Sequence, residues 1–386
     1  MSEKKMKIAV VCRTVGLQFD DRIRKECITL AKSSEVKIFA VFTSNIAGEG
    51  KTSYGIPYRS FRLFTRNRLP SSRFLFIKAL EFYLKVYPCI RHYDIIWAHE
   101  EYTLLFALFT RGNKLIWDLH EIPYRHKNPL FRLIFRQIER KSLKIIHANP
   151  FRIEYLKTNG LIKNIEKHAY IRNYPDRIFL SSKIIPACYH DFRKWLNGSG
   201  YIFLQGIDLP DRYPYNSISS LMDVSDLKVL VVGPSPDQLT LHKLENQYPD
   251  ELKNRVFFAG WVSQLEISVL LRDALFTIVL YETTDPNNRY CEPNRFFNAL
   301  NLGIPVISGN NEPMAEILKY TKAGIVLDSD GRDPEELGKA IINMKGNLNF
   351  FRKNCLTAVG QFIWKDEMIP DKWYRKFESH KNIIRT

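Results

Sequence analysis

The stretch Tyr290-Cys-Glu-Pro-Asn-Arg-Phe-Phe-Asn-Ala-Leu-Asn-Leu-Gly-Ile-Pro-Val-Ile-Ser308 decides the fold. A turn at Glu292-Pro293-Asn294 opens a short apolar helix, the helix stops at Gly303, and a buried strand runs from Ile304 to Ile307. Proline suits the first turn of a helix and glycine suits its C-terminal end. A loop, a helix N-terminus and a parallel strand in such close succession form a ready phosphate site at the mouth of a parallel sheet.

Outward from this stretch, apolar strand signals alternate with helical stretches in both directions. Ile8–Cys12, Val36–Phe42, Ile95–Ala98, Lys114–Trp117, Ile145–Ala148 and His168–Ile171 form one series. Tyr201–Leu204, Lys228–Gly233, Val256–Gly260, Phe276–Tyr281, Ile304–Ile307 and Gly324–Leu327 form the second. Each is a βαβ alternation, so the expected class is α/β with two Rossmann-like, doubly wound parallel-sheet domains. A length of 386 residues fits two domains. Pro175 to Gly200 carries prolines, serines and a glycine and is read as the linker. The expected domains are therefore 1–178 and 195–355, followed by a helical tail over 356–386.

Six scattered cysteines without C-x-x-C spacing exclude a disulfide framework and a zinc site of that type. The apolar run at the N-terminus is too short for a signal peptide, and nothing reaches transmembrane length, so a cytoplasmic chain is expected. Residues 1–177 hold 33 Lys and Arg against 16 Asp and Glu, a balance of +17 within a total of +16. The remainder therefore carries −1. A basic half of this kind offers a surface to anionic partners. Within it, Arg59 to Arg91 interleaves cations with Phe61, Phe64, Phe74, Phe76, Phe82, Tyr83 and Tyr87. Such a stretch suits a bilayer interface, and it also suits single-stranded nucleic acid.

The Tyr290–Ser308 stretch resembles the donor-binding segment of sugar-nucleotide-dependent glycosyltransferases of family four (group 1, B-type fold). That family has a Pro-Asn-Lys-like turn, a helix, then Gly-x-Pro-Val-Ile. In order along the chain, Asp20-Asp-Arg22, His99-Glu100, Asp118-Leu-His-Glu121, Glu139-Arg140, Asn173-Tyr-Pro175, Val256-Phe-Phe-Ala-Gly-Trp-Val262 and a terminal Trp-containing segment match further elements. The resemblance implies domains facing a cleft, with C-terminal helices crossing back to the first domain. It implies a donor site from Gly206, Arg212, Gly233, Gly260, Trp261, Val262, Pro293, Asn294, Arg295, Phe296 and Asn298. Arg13 and Gly16 belong to the first loop. The sequence departs from the family at Ile207, where many members carry a cation, and at Tyr290 and Asn298, where the family has its two glutamates.

Two His-Glu pairs follow successive strands, at the end of a parallel sheet where ligands bind. His120, Glu121, Glu292, His99 and Glu100 are the catalytic candidates, with Glu101 unranked beside them. A histidine there bonds a sugar hydroxyl, and a carboxylate takes a proton or steadies a positive sugar centre. The resemblance favours His120 for the donor sugar. It implies retaining transfer without cofactor or metal, from a nucleotide diphosphate sugar to a lipid-linked or glycan acceptor in bacterial surface polysaccharide synthesis. The chain would lie peripherally on an anionic membrane surface, on the inner face of the cytoplasmic membrane, and nucleic acid is not the expected partner. A non-catalytic subunit of the same fold and a basic nucleic-acid-binding protein are the alternatives.

Overall fold

A computed structural model describes residues 5–110 and 112–374, without the side chains of 71–73. The chain divides into two units, 1–172 with 365–386, and 173–364.

The first unit is built on an eight-stranded sheet: β1 Lys7–Thr14, β2 Glu35–Phe42, β3 Gly48–Lys51, β4 Pro57–Ser60, β5 Ile95–His99, β6 Leu115–Leu119, β7 Lys144–His147 and β8 His168–Tyr170. Their order is β3-β4-β2-β1-β5-β6-β7-β8, parallel except for the β3–β4 hairpin. Residues 8–12 of β1 are wholly buried, because helices cover both faces of a central parallel strand. That is why the sequence shows an unbroken apolar run there. The sequence reading omitted β3 and β4: Gly48-Glu-Gly-Lys51 is exposed and lacks a strand's apolar alternation.

The second unit has six parallel strands: β9 Tyr201–Gln205, β10 Lys228–Val232, β11 Val256–Gly260, β12 Thr277–Val279, β13 Val306–Ser308 and β14 Gly324–Val326. Their order is β11-β10-β9-β12-β13-β14. Alternate residues serve opposite faces: Phe203, Leu230 and Val279 join one buried cluster, and Leu204, Val231 and Ile278 the other. The strand order reverses between β9 and β12 here, and between β1 and β5 in the first unit. Ligands of open α/β sheets bind at such switch points, beyond the strands' carboxyl ends.

The expected linker belongs to the second unit instead. It forms helices Arg177–Leu180 and Tyr189–Leu196, whose Phe179 and Phe192 are buried in the core. Proline and serine content obscured these aromatic anchors. The tail also divides. Helix Leu348–Ala358 packs in the second unit, and Trp364 N–H donates to the Pro175 carbonyl at 2.8 Å. Between Lys365 and Tyr374 the chain rejoins the first unit as short 3-10 turns, where Asp366 accepts from Thr29 and Lys32. Residues 375–386 of that tail lie outside the described residues. Among the described residues no helix is long and apolar enough to cross a membrane.

Candidate functional site

In the second unit, β9 runs into Gly206, whose φ of +59° favours glycine. A Cβ there would also come within 3.2 Å of the Arg212 guanidinium. Arg212 Nη1 donates to the Gly206 carbonyl at 2.6 Å, and Arg295 Nη1 donates to the same carbonyl at 3.0 Å. Arg295 also donates to the Gln205 carbonyl. Both guanidinium groups lie by the Tyr281 ring, at 5.5 and 4.7 Å from its centroid. Burial holds the Arg295 guanidinium below its ordinary range, and the like charge of Arg212 adds to this. Among the described residues, the one carboxylate paired with either arginine is Asp208, 3.2 Å from Arg212. The Nε atoms of both are buried without a hydrogen-bond partner among the described residues. Two cations converging with spare donors make a site for an anion.

Gly233 and Gly260 continue this edge at the ends of β10 and β11, with φ of +107° and +67°. Gly233 N–H donates to the Gly260 carbonyl at 2.8 Å. Trp261 then stands exposed and Val262 is buried. The helix of the opening stretch spans Asn294–Asn301, with Pro293 as its N-cap and no side chain capping it. Its positive end therefore lies beside Arg295. Asn298 is buried, and its Nδ2 has no partner among the described residues. Glu292 is buried too, and its carbonyl accepts from Asn173 at 3.1 Å. Phe296 is not brought to this edge: it is fully buried against Phe297 in the core. Ile207 is likewise a core side chain, so no cation is available at that position.

In the first unit, β5 and β6 place His99 opposite Asp118. Two residues on, His120 Nε2 lies 3.1 Å from Asp118 Oδ2 and 3.0 Å from His99 Nδ1, while its Nδ1 lies 2.9 Å from Glu100 Oε1. Arg22, on helix Asp21–Ala31, grips Asp118 through two hydrogen bonds of 2.8 and 2.6 Å. Burial would raise Asp118, but Arg22 and His120 outweigh it and hold the carboxyl well below its usual range. Burial would lower His120, but Glu100 and Asp118 outweigh it and push the imidazole well above its ordinary value. Glu26 is pushed up by burial and then by Asp118. Glu26 lies 3.0 Å from Arg22 Nε, at the buried end of the row formed by Arg22, Asp118, His120 and Glu100.

Glu100 has a φ of +67° and a ψ of 165°, a region that non-glycine residues avoid. Its backbone is fixed on several sides. Its N–H donates to the Asp118 carbonyl at 2.8 Å, and its carbonyl accepts from Thr103 Oγ1 at 2.8 Å and Trp117 Nε1 at 3.1 Å. Glu121 is exposed, and Glu101 accepts from the Tyr124 N–H at 2.9 Å. Arg13 is exposed over the Tyr102 ring, and the Gly16 carbonyl accepts from Phe19 N–H at 3.0 Å, shaping the turn before helix Asp21–Ala31.

Arg22 and Asp118 lie inside the motifs without a role that the sequence assigns, and Glu26 reads there only as part of a helix. Their partnership joins positions 96 residues apart, which local pattern does not reveal. The ligand atoms of His99, Asp118 and His120 lie within 4.8 Å of one another, close enough for a metal ion. The guanidinium on Asp118 opposes a cation there.

Residues 215–347 match the family described as glycosyl transferases group 1. That span holds β10 to β14 and the Asn294–Asn301 helix but not Gly206 or Arg212. No curated protein matches the chain. Among solved structures, HepE of Anabaena in complex with UDP-glucose superposes with a TM-score of 0.70 at 16% identity, covering 97% of this chain and 100% of that one. Sucrose-phosphate synthase from Thermosynechococcus elongatus gives 0.69 at 16% identity, with 98% and 99% covered. WaaG, a glycosyltransferase involved in lipopolysaccharide biosynthesis, gives 0.63 at 14%, with 98% and 99% covered. These likenesses bear out the expected two-domain fold, and the family match bears out the group 1 resemblance over the second unit.

Proposed function

From a group 1 glycosyltransferase domain on this fold, we propose that the chain moves a sugar from a nucleotide diphosphate donor to a glycan on a lipid carrier. The reading extends to retention at the anomeric carbon and to surface polysaccharide synthesis on the inner face of the cytoplasmic membrane. The observation that carries it is the Arg212–Arg295 pair at the Gly206 carbonyl. Charge builds on the diphosphate as the sugar leaves. Two fixed guanidinium groups and a helix N-terminus stabilise that charge without reorganising. The same pair supplies the role a divalent ion plays elsewhere, which supports transfer without a metal.

The acceptor side falls to the first unit. Both imidazole nitrogens of His120 face protein groups, so His120 orients Glu100 rather than meeting a hydroxyl by itself. Glu100, partly exposed and strained, is the group placed to accept a proton or to steady positive charge on the sugar ring. A membrane surface fits the +17 balance of residues 1–177.

Removing either arginine tests this reading. Arg212→Ala and Arg295→Ala should each weaken UDP or GDP binding by about 1.5–3 kcal/mol, the range for hydrogen bonds to charged groups. Asn298→Ala should cost less, since the lost partner is neutral. Calorimetry showing unchanged affinity in both arginine variants would place the diphosphate elsewhere.

A further inference from the structure

Helix Ser71–Ile90 is apolar on two sides. Phe82, Val86 and Ile90 are fully buried in the first unit. On the outer side Phe76, Leu80 and Leu84, spaced four residues apart, stand 58%, 37% and 61% exposed, and Ile77 joins them. Residues at this spacing form one stripe. Phe64, 61% exposed, adjoins the helix through its N–H bond to Glu81, and the Arg68 guanidinium lies 3.6 Å over its ring. An exposed apolar stripe opposite a buried face needs a cover on its outer side.

Beside the stripe lies a cavity of about 460 Å³, open to solvent and lined by Arg59, Arg62, Lys85, Glu49 and Phe61 among others. Lys85 follows Leu84 directly. Lys85 Nζ donates to the Arg62 carbonyl at 2.7 Å, tying cavity and helix together. Three cations line the cavity against one carboxylate, Glu49, which pairs with Arg59 at 3.1 Å. Nearby Glu81 is committed to the Phe64 and Thr65 N–H groups, the Thr65 hydroxyl and Lys85. The guanidinium of Arg62 has no ion pair among the described residues.

We propose that this cavity seats the phosphate headgroup of an anionic phospholipid, while the Phe76–Leu80–Leu84 stripe enters the acyl boundary beside it. The inference rests on the membrane reading above and gives that reading a defined site. A cationic pocket flanked by an uncovered apolar stripe has the charge and polarity profile of an anionic bilayer surface. The buried face of the same helix packs through Phe82 on the Tyr102 and Phe106 rings, which anchors the stripe to the first unit.

The test is co-sedimentation of the full chain with vesicles of phosphatidylcholine alone and of phosphatidylcholine mixed equally with phosphatidylglycerol. Wild type should prefer the mixed vesicles. Arg62→Ser with Lys85→Ser should lose about 30-fold in affinity for them, about 1 kcal/mol for each cation. Phe76→Ser with Leu84→Ser should lose binding to both compositions, with thermal melting showing each variant folded. A seat variant that binds like wild type overturns the seat and leaves the membrane reading standing. Wild type that binds neither vesicle overturns both. Displacement by glycerol 3-phosphate without vesicle binding assigns the cavity to a soluble phosphate, and tighter binding to an oligonucleotide than to vesicles assigns it to nucleic acid. A dimer that the stripe variant splits, with vesicle binding unchanged, makes the stripe a contact between copies. Each of these three also overturns the proposal.

Discussion

At the scale of single residues, the row Arg22–Asp118–His120–Glu100 separates positioning from chemistry. Asp118 is fully buried and Arg22 nearly so. Asp118→Asn strands the Arg22 charge and should destabilise the fold by about 3–5 kcal/mol. Glu100→Gln keeps the shape, removes a charge at a half-open position, and should melt close to wild type while transfer falls at least about 100-fold, the lower range for acid–base groups. Loss of activity without loss of melting temperature marks Glu100 as a reacting group; equal losses in both variants would reduce it to structure. The raised value of His120 gives a second readout. Its contribution to stability is fully present below the ordinary value of about 6.5 and is lost as pH rises through the folded value. Urea titrations should show that alkaline loss in wild type and not in His120→Gln. The histidine–carboxylate pairs were legible because they follow strands whose ends must face ligand. Arg22 was not, since nothing local tells an ion-pairing arginine from a solvated one.

At the scale of elements, the sheets were legible and the edges were not. Central parallel strands announce themselves as apolar runs, whereas β3 is four exposed residues held by pairing to β4. The basic-aromatic stretch read as a single interfacial segment is in fact strand β4, a loop and a helix. Glu81 holds the last two together. Burial alone would raise its carboxyl, but Lys85 and Thr65 outweigh that and hold it down to about 2. Glu81→Ala releases two backbone N–H groups and a hydroxyl, and should destabilise the first unit by about 1.5–3 kcal/mol. A carboxylate with a lowered value stabilises above its unfolded value and loses that contribution as pH falls through the folded one. The amides of Phe64 and Thr65 should therefore lose protection, relative to the intrinsic exchange rate at each pH, as pH falls from about 4 towards about 2. Protection that is flat across that range in wild type would deny Glu81 the tethering role.

At the scale of the whole molecule, both units use a reversing strand order, and in each the candidate site residues gather where it reverses. Gly206 follows β9 and Tyr281 lies just past β12, while Arg13 is the penultimate residue of β1 and His99 ends β5. Charge is divided between them as well: the half that carries the histidine row holds the whole positive excess, and the half that carries the arginine pair is near neutral. The arginine pair therefore acts through local placement, not through a general field, and its ligand should stabilise the second unit selectively. A ligand bound only by the folded state at 100 times its dissociation constant adds about 2.7 kcal/mol. For a unit of this size that moves the melting midpoint by about 5–10 °C. In a panel of UDP, GDP, dTDP, CMP and ADP, one diphosphate should give that shift and CMP, with a single phosphate, a smaller one. The shift should vanish in Arg212→Ala with Arg295→Ala and persist in Glu100→Gln, because the proposed diphosphate site and Glu100 belong to different units. A shift that survives loss of both arginines, or one produced equally by every nucleotide, would remove the diphosphate site on which the proposed sugar transfer depends.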